Sequence, residues 1–286
     1  MQLSEDQAEA HDRISALLLK AGVDLGNETT APPGRQKSGM IAVLGKAGSG
    51  KTKLLAKLVT ELTDAGVELI SADYEAQRSP ETRTLAVLAP TNKAASVLRA
   101  QGVAATTIHR ILYTPLYDPE YEKIAQWLSG KGDKPEIEGL SDAALDRAKA
   151  FYASNKSIPG ALASAGLRGS DFIIGWSRRE DPLDIGFIDE SSMLDDRQFQ
   201  DLTEIFSTLV LFGDPAQLAP VGQSGAMAFD AVADKRKTFL HRIHRQSEDN
   251  PILDLAHALG DPDIGFEAFE AQLKTIARTD DRVVVA

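Results

Sequence analysis

The stretch Gly45-Lys46-Ala47-Gly48-Ser49-Gly50-Lys51-Thr52 constrains this chain more than any other. It satisfies G-x-x-x-x-G-K-[ST], it follows the apolar run Met40 to Leu44, and it opens a helix expected from about Lys51 to Ala65. Glycines here let backbone N–H groups curl around phosphate oxygens with no Cβ in the way. A helix N-terminus adds a partial positive charge. Lys51 is the type of residue that reaches the β- and γ-phosphates of a nucleotide, and the Thr52 hydroxyl is a ligand for Mg2+. Gly45, Ala47, Gly48, Ser49, Gly50, Lys51 and Thr52 are therefore the expected ATP binders. The plain alternative, a chance glycine-rich turn, asks for neither the lysine nor the hydroxyl.

Such a loop needs a metal-holding carboxylate at the end of a neighbouring strand. Ile185-Gly186-Phe187-Ile188-Asp189-Glu190 supplies a short apolar strand ending in two acids. Asp189 is the expected Mg2+ ligand, and Glu190 the group that orients and deprotonates the attacking water. A solvated pair of acids at a strand end is the competing reading. Gln7 also has two readings. Ser4-Glu5-Asp6-Gln7 is a capping-box pattern in which Gln7 bonds back to the Ser4 amide, and a side-chain amide can equally read adenine.

Strands alternate with helices along most of the chain, which argues an α/β fold with a parallel sheet covered on both faces. An amphipathic helix is expected over Glu5 to Ala21, and a loop over Gly26 to Ser38. Later strands are expected at 85–88, 185–188, 208–212 and 282–285, and helices at 94–100, 196–206 and 251–259. Residues 113–183 differ: Pro115, Pro119, Pro135, Pro159 and Pro182 interrupt them, and the one helical pattern, near Ser141 to Ala153, is weak. They read as an inserted subdomain dividing a main domain of residues 1–112 and 184–276.

Bulk composition excludes several classes. The chain has no cysteine, so disulfides, thiolate metal sites and cysteine nucleophiles are out. Its start lacks a secretory pattern and it holds no run of 18 apolar residues, so a cytoplasmic protein without membrane partners is expected. Acids outnumber bases 42 to 31, for a net charge of −11, which argues against strong non-specific DNA binding while leaving room for a local basic groove.

Further segments match one family in order. The chain resembles the first RecA-like domain of superfamily 1 DNA helicases, in the RecD-like branch that includes Dda-type helicases. Leu3-Ser4-x-x-Gln7 resembles the adenine-reading Q motif, Ala89-Pro90-Thr91-Asn92-Lys93-Ala94-Ala95 motif Ia, and Thr106-Thr107-Ile108-His109-Arg110 motif Ib. Asp189-Glu190-Ser191-Ser192-Met193 is similar to motif II, and Leu211 to Val221 to motif III. Ile243-His244-Arg245-Gln246 through Ile252 is similar to motif IV.

The resemblance implies an ATP- and Mg2+-dependent motor on single-stranded DNA, moving 5′→3′. It implies that Gln217 couples the γ-phosphate to the strand and that Arg245 contacts the γ-phosphate, although Arg245 also suits an ion pair with Glu248 or Asp249. Pro90, Thr91, Asn92, Lys93, Thr107 and His109 are the implied strand contacts; Thr91-Asn92 equally suits a helix cap, and a lone histidine is usually structural. The family often carries a strand-splitting β-hairpin in the slot of residues 113–183. Phe172 to Trp176 would be one arm and Ser177 to Pro182 the turn, with Trp176 or Phe172 stacking on a base or packing in a core. Motifs V and VI are not matched, so residues 277–286 read as the start of a second RecA-like domain expected in cis beyond Ala286, and the isolated chain as weakly active. A module that uses ATP as a switch without turnover is the alternative; Glu190 speaks against it.

Overall fold

The computed structural model describes residues 3–34, 37–70, 81–217, 227–242, 255, 258–259 and 264–278. Arg245, most of the 251–259 helix, the 282–285 strand and the segment after Gln217 in the motif III match fall outside them.

Helix α1 (Glu5–Lys20) starts where the Ser4 amide donates to Gln7 Oε1 at 3.0 Å, and it buries Gln7, Ala10, Ile14, Leu17 and Leu18 along one face. A small antiparallel ribbon follows, β1 (Val23–Asp24) with β2 (Thr29–Thr30). The main sheet then begins with β3 (Gly39–Gly45), α2 (Lys51–Asp64), β4 (Glu68–Ile70) and β5 (Thr84–Ala89). Next come α3 (Asn92–Ala100), β6 (Thr106–Thr107) and α4 (Ile108–Leu112).

The inserted stretch comprises β7 (Tyr113–Tyr117), α5 (Pro119–Leu128), α6 (Asp142–Asn155), α7 (Ile158–Ser164), α8 (Gly169–Phe172) and β8 (Ile173–Arg178). The chain returns to the sheet with β9 (Leu183–Ile188), α9 (Asp196–Ile205), β10 (Phe206–Gly213) and β11 (Lys237–Leu240). Helix α10 (Phe266–Ala277) has no buried residue.

Strand order is β11-β3-β10-β9-β5-β4, with β6 also on β5, and every pairing is parallel. Alternation along each strand divides the core. Ile41, Val43, Val87, Phe187 and Phe212 pack with α1, α2 and α3 on one face. Ala42, Leu44, Ile188, Phe206 and Leu211 pack with α4 and α9 on the other. This is a RecA-like P-loop architecture, an α/β fold as its sequence pattern predicts.

The stretch 113–183 departs from the predicted hairpin. β7 and β8 do pair antiparallel, Tyr113 opposite Arg178 and Pro115 opposite Trp176, but four helices, not a tight turn, join them. Ser177 and Arg178 belong to β8, and 179–182 lead back into β9, so this segment is no turn. Phe172 is 2% exposed inside a separate core with Ile124, Leu128, Leu145, Ala148 and Leu162, which removes it as a base-stacking ring. Trp176 is half exposed, opposite Pro115 in the ribbon.

Candidate nucleotide-binding site

The phosphate-loop candidate sits where the physics of its sequence puts it. β3 ends at Gly45, the chain turns through Lys46 to Ser49, and α2 starts at Lys51 behind Gly50, whose φ of +84° is natural only for glycine. Gly48 has a φ of +85°. A Cβ on Gly45 would collide with the Ser49 hydroxyl and meet the Leu240 carbonyl at 3.0 Å. No side chain caps α2, so its first amides remain available to an anion. Lys51 Nζ donates to the Gly45 and Lys46 carbonyls at 2.6 and 3.2 Å, which holds the ammonium over the loop.

Asp189 follows the last residue of β9 and its amide donates to the Leu88 carbonyl at 2.8 Å. Glu190 adopts a left-handed backbone with φ +53°, a conformation that costs a residue with a Cβ and persists when its surroundings over-determine it. That turn swings its carboxylate to Gln217, whose Nε2 donates to Glu190 Oε2 at 3.0 Å; the Ser192 hydroxyl in turn donates to Gln217 Oε1. Glu190, Gln217 and Ser192 thus form one connected group.

One expectation needs correcting. The loop strand and the acid-bearing strand are not adjacent: β10 lies between β3 and β9. Leu44 pairs with Gly213 and Leu211 with Ile188, so all three strands end along one edge. Two strand spacings separate loop from acids by about 10 Å, room for a phosphate and a cation between them. β10 delivers Asp214 into that gap, 6% exposed, with Oδ1 accepting from the Ala216 amide at 2.9 Å.

The charges respond to this crowding. Burial pushes the Lys51 ammonium down from the ordinary lysine range, while Asp214, Glu190 and Asp189 hold it up. Burial, reinforced by the Glu190 charge, pushes Asp189 up to about 6, against the pull of the Glu190 amide and Lys51. A divalent cation is the natural remedy for a buried carboxylate in that position. Ser49 Oγ is buried without a hydrogen-bond partner among the described residues. These residues fit Mg2+ and a polyphosphate: Thr52, in the half-buried first turn of α2, and Asp189 as metal ligands, the loop amides and Lys51 for phosphate oxygens.

Of the two predicted readings of Gln7, the structure shows the cap. Its Oε1 closes the helix start, and its Nε2 points at the Ser49 and Gly50 carbonyls at 3.5 and 3.3 Å. It is fully buried, so here the amide braces the phosphate loop from behind. Asp6 beside it accepts from the His241 and Arg242 amides at 2.8 and 3.0 Å, tying α1 to the segment that leads toward Arg245.

The strand-contact candidates emerge next to the acids. β5 flanks β9, and β6 flanks β5 with Ala89 opposite Thr107, so motif Ia and motif Ib leave the sheet side by side. Thr91 caps α3 by accepting from the Ala94 amide at 3.1 Å, and Thr91, Asn92 and Lys93 are exposed beside a half-buried Pro90. Thr107 is buried; His109 is exposed, its ring 4.9 Å from Tyr113 and 4.3 Å edge-on to Trp176. Sequence reasoning missed Asp214 and Ser192. Both stand inside quoted motifs, and a strand-end Gly-Asp-Pro is the signal that marks the first.

A family model described as AAA domain matches residues 35–281. No curated protein matches the sequence. Among solved structures, a Pif1 helicase from Candida albicans is 19% identical, with 97% of this chain and 48% of that chain covered and a TM-score of 0.47. A Pif1 helicase double mutant from Bacteroides is 18% identical, with 99% and 50% covered and a TM-score of 0.41. The chain spans about half the length of these helicases. No described helix is long and apolar enough to cross a membrane.

Proposed function

The chain belongs to the AAA domain family, and from that premise we propose that it is the first motor domain of an ATP-dependent DNA helicase, coupling hydrolysis to 5′→3′ movement along single-stranded DNA. The adjacency of strand ends carries the reading. Hydrolytic acids leave β9, and the candidate strand contacts leave β5 and β6 immediately beside it. A change at the acids is one strand spacing from a bound single strand, and the exposed hydroxyl, amide and ammonium of Thr91, Asn92 and Lys93 suit phosphates without reading bases.

In this reading Lys51 and the loop amides orient the triphosphate, and Thr52 and Asp189 hold Mg2+. The metal, when bound, neutralises charge developing on the phosphate oxygens. Glu190 accepts the proton of the attacking water, and Gln217, bonded to it at 3.0 Å, fixes the direction of its carboxylate. The Asp214 charge favours the charged form of Lys51 against the opposing effect of burial. Arg245 stabilises the equatorial oxygens. Stepping requires two domains closing around the nucleotide, so the proposal includes a second RecA-like domain in cis. Trp176 serves as a wedge at the strand junction, backed by the His109 ring.

Steady-state ATP hydrolysis with and without single-stranded DNA tests this. DNA stimulation that disappears in Lys51→Ala and Glu190→Gln supports the motor; tight ATP binding with no turnover would instead make the domain a switch. Trp176→Ala in a chain carrying both motor domains is expected to lower unwinding while ATP turnover stays intact.

A further inference from the structure

The opposite edge of the sheet, where β3 and β10 begin, has the contrary electrostatic character. Two adjoining cavities of about 420 and 180 Å³ open there and share Met40, Lys235 and Arg236. Arg13 and Lys20 of α1 flank one, and Lys37 flanks the other; no aspartate or glutamate lines either among the described residues. On a chain of net charge −11 this is a concentrated exception.

These cations are poorly compensated. Lys20, Lys235 and Arg236 form no ion pair among the described residues. Lys37 donates to the Thr203 carbonyl and Arg13 to the Lys237 carbonyl, both at 2.7 Å, which orients the charges without cancelling them. Arg13 has one long contact, 3.7 Å, with Glu9. Asp234, 99% exposed beside Lys235, is already paired with Lys237 at 3.0 Å. Gly39, with φ +113°, provides a notch: a Cβ there would overlap the Arg236 guanidinium, so the glycine lets that cation lie flat against the start of β3.

The lining discriminates between polyanions. A single strand of nucleic acid favours a cationic track with free aromatic faces. Here the cavity floor is Met40, Phe206 and Val232, and Phe206 is only 2% exposed, so no ring stands free to stack. An apolar floor without a free ring, beneath a basic rim, suits aliphatic side chains flanked by carboxylates. We propose that this trough is the docking site for an acidic, aliphatic-bearing peptide segment of a partner protein. β3 separates it from the phosphate loop by seven residues, about 20 Å, so its occupant leaves the nucleotide edge open.

The test is fluorescence anisotropy on the full chain with three labelled probes: a twelve-residue peptide of leucine and glutamate, its leucine–lysine counterpart, and a thymidine oligonucleotide. The leucine–glutamate peptide is expected to bind, more weakly as salt rises. Lys235→Glu with Arg236→Glu should weaken it about tenfold or more while ATP turnover is unchanged. Lys20→Glu, a single exposed change on α1, gives an independent smaller loss should the double variant fold poorly. Peptide affinity indifferent to these reversals overturns the proposal. So does a polyglutamate peptide binding as well as the leucine-bearing one, or an oligonucleotide that competes for the same residues.

Discussion

Helices α2 and α6 are both 14 residues long and both anchor a core, yet their first turns are built on opposite principles. α6 begins with Ser141, whose hydroxyl accepts from the Ala144 amide at 3.3 Å. Its neighbours are closed in the same way, α5 by Asp118 and α7 by Ser157. α2 begins with a left-handed glycine and no cap, directly over a lysine and facing three carboxylates. The inserted segment spends its polar side chains on completing its own backbone. The sheet edge leaves its amides open and crowds charge around them, forgoing stability for a place where an anion is held.

The sharpest way to break that contrast is Glu190→Gln. Losing the carboxylate proposed to activate water should lower ATP turnover by about 10²–10⁴-fold while nucleotide binding and the melting curve stay close to wild type. A variant that hydrolyses ATP normally would remove Glu190 from the chemistry. Phe172→Ala probes the other region: a buried ring lost from the small core should cost about 3–5 kcal/mol in denaturant unfolding of that segment, with ATP binding preserved.

Asp189 tests the stored strain on the open edge. Its carboxyl is raised to about 6 from an unfolded value of 3.8, so the native state holds the proton more tightly than the unfolded one. This group's contribution is present at low pH and is lost as pH climbs through roughly 4 to 6. Asp189→Asn should flatten that slope in nucleotide-free melting curves, stabilise the chain modestly at neutral pH and abolish Mg2+ binding. A variant less stable at pH 7 than wild type would contradict the account. The smallest effect belongs to Ser141→Ala, about 1 kcal/mol from α6 with no change in turnover; an altered turnover would mean that the two regions are not independent.

The same contrast explains what could be read in the sequence. The phosphate loop, the start of α2 and the end of β9 are written locally, because glycines, a lysine and two acids at strand ends leave few alternatives. Strand order is not local. β10 follows β9 in the chain yet inserts between β9 and β3, since parallel crossovers free spatial order from chain order. In the insert, Pro119 and Pro159 read as interruptions but occupy the first turns of α5 and α7, where a missing N–H costs nothing. Helix α10 passed unremarked although Phe266, Phe269, Leu273 and Ile276 recur at helical spacing.

β10 has one more consequence. It threads between the glycine-rich loop and the paired acids and carries Asp214 and Gln217 just beyond its tip, so under the proposed function a change in that gap would reach these two side chains first. A motor built this way would need no distant relay, because the side chains that register the nucleotide would sit between the loop and the acids.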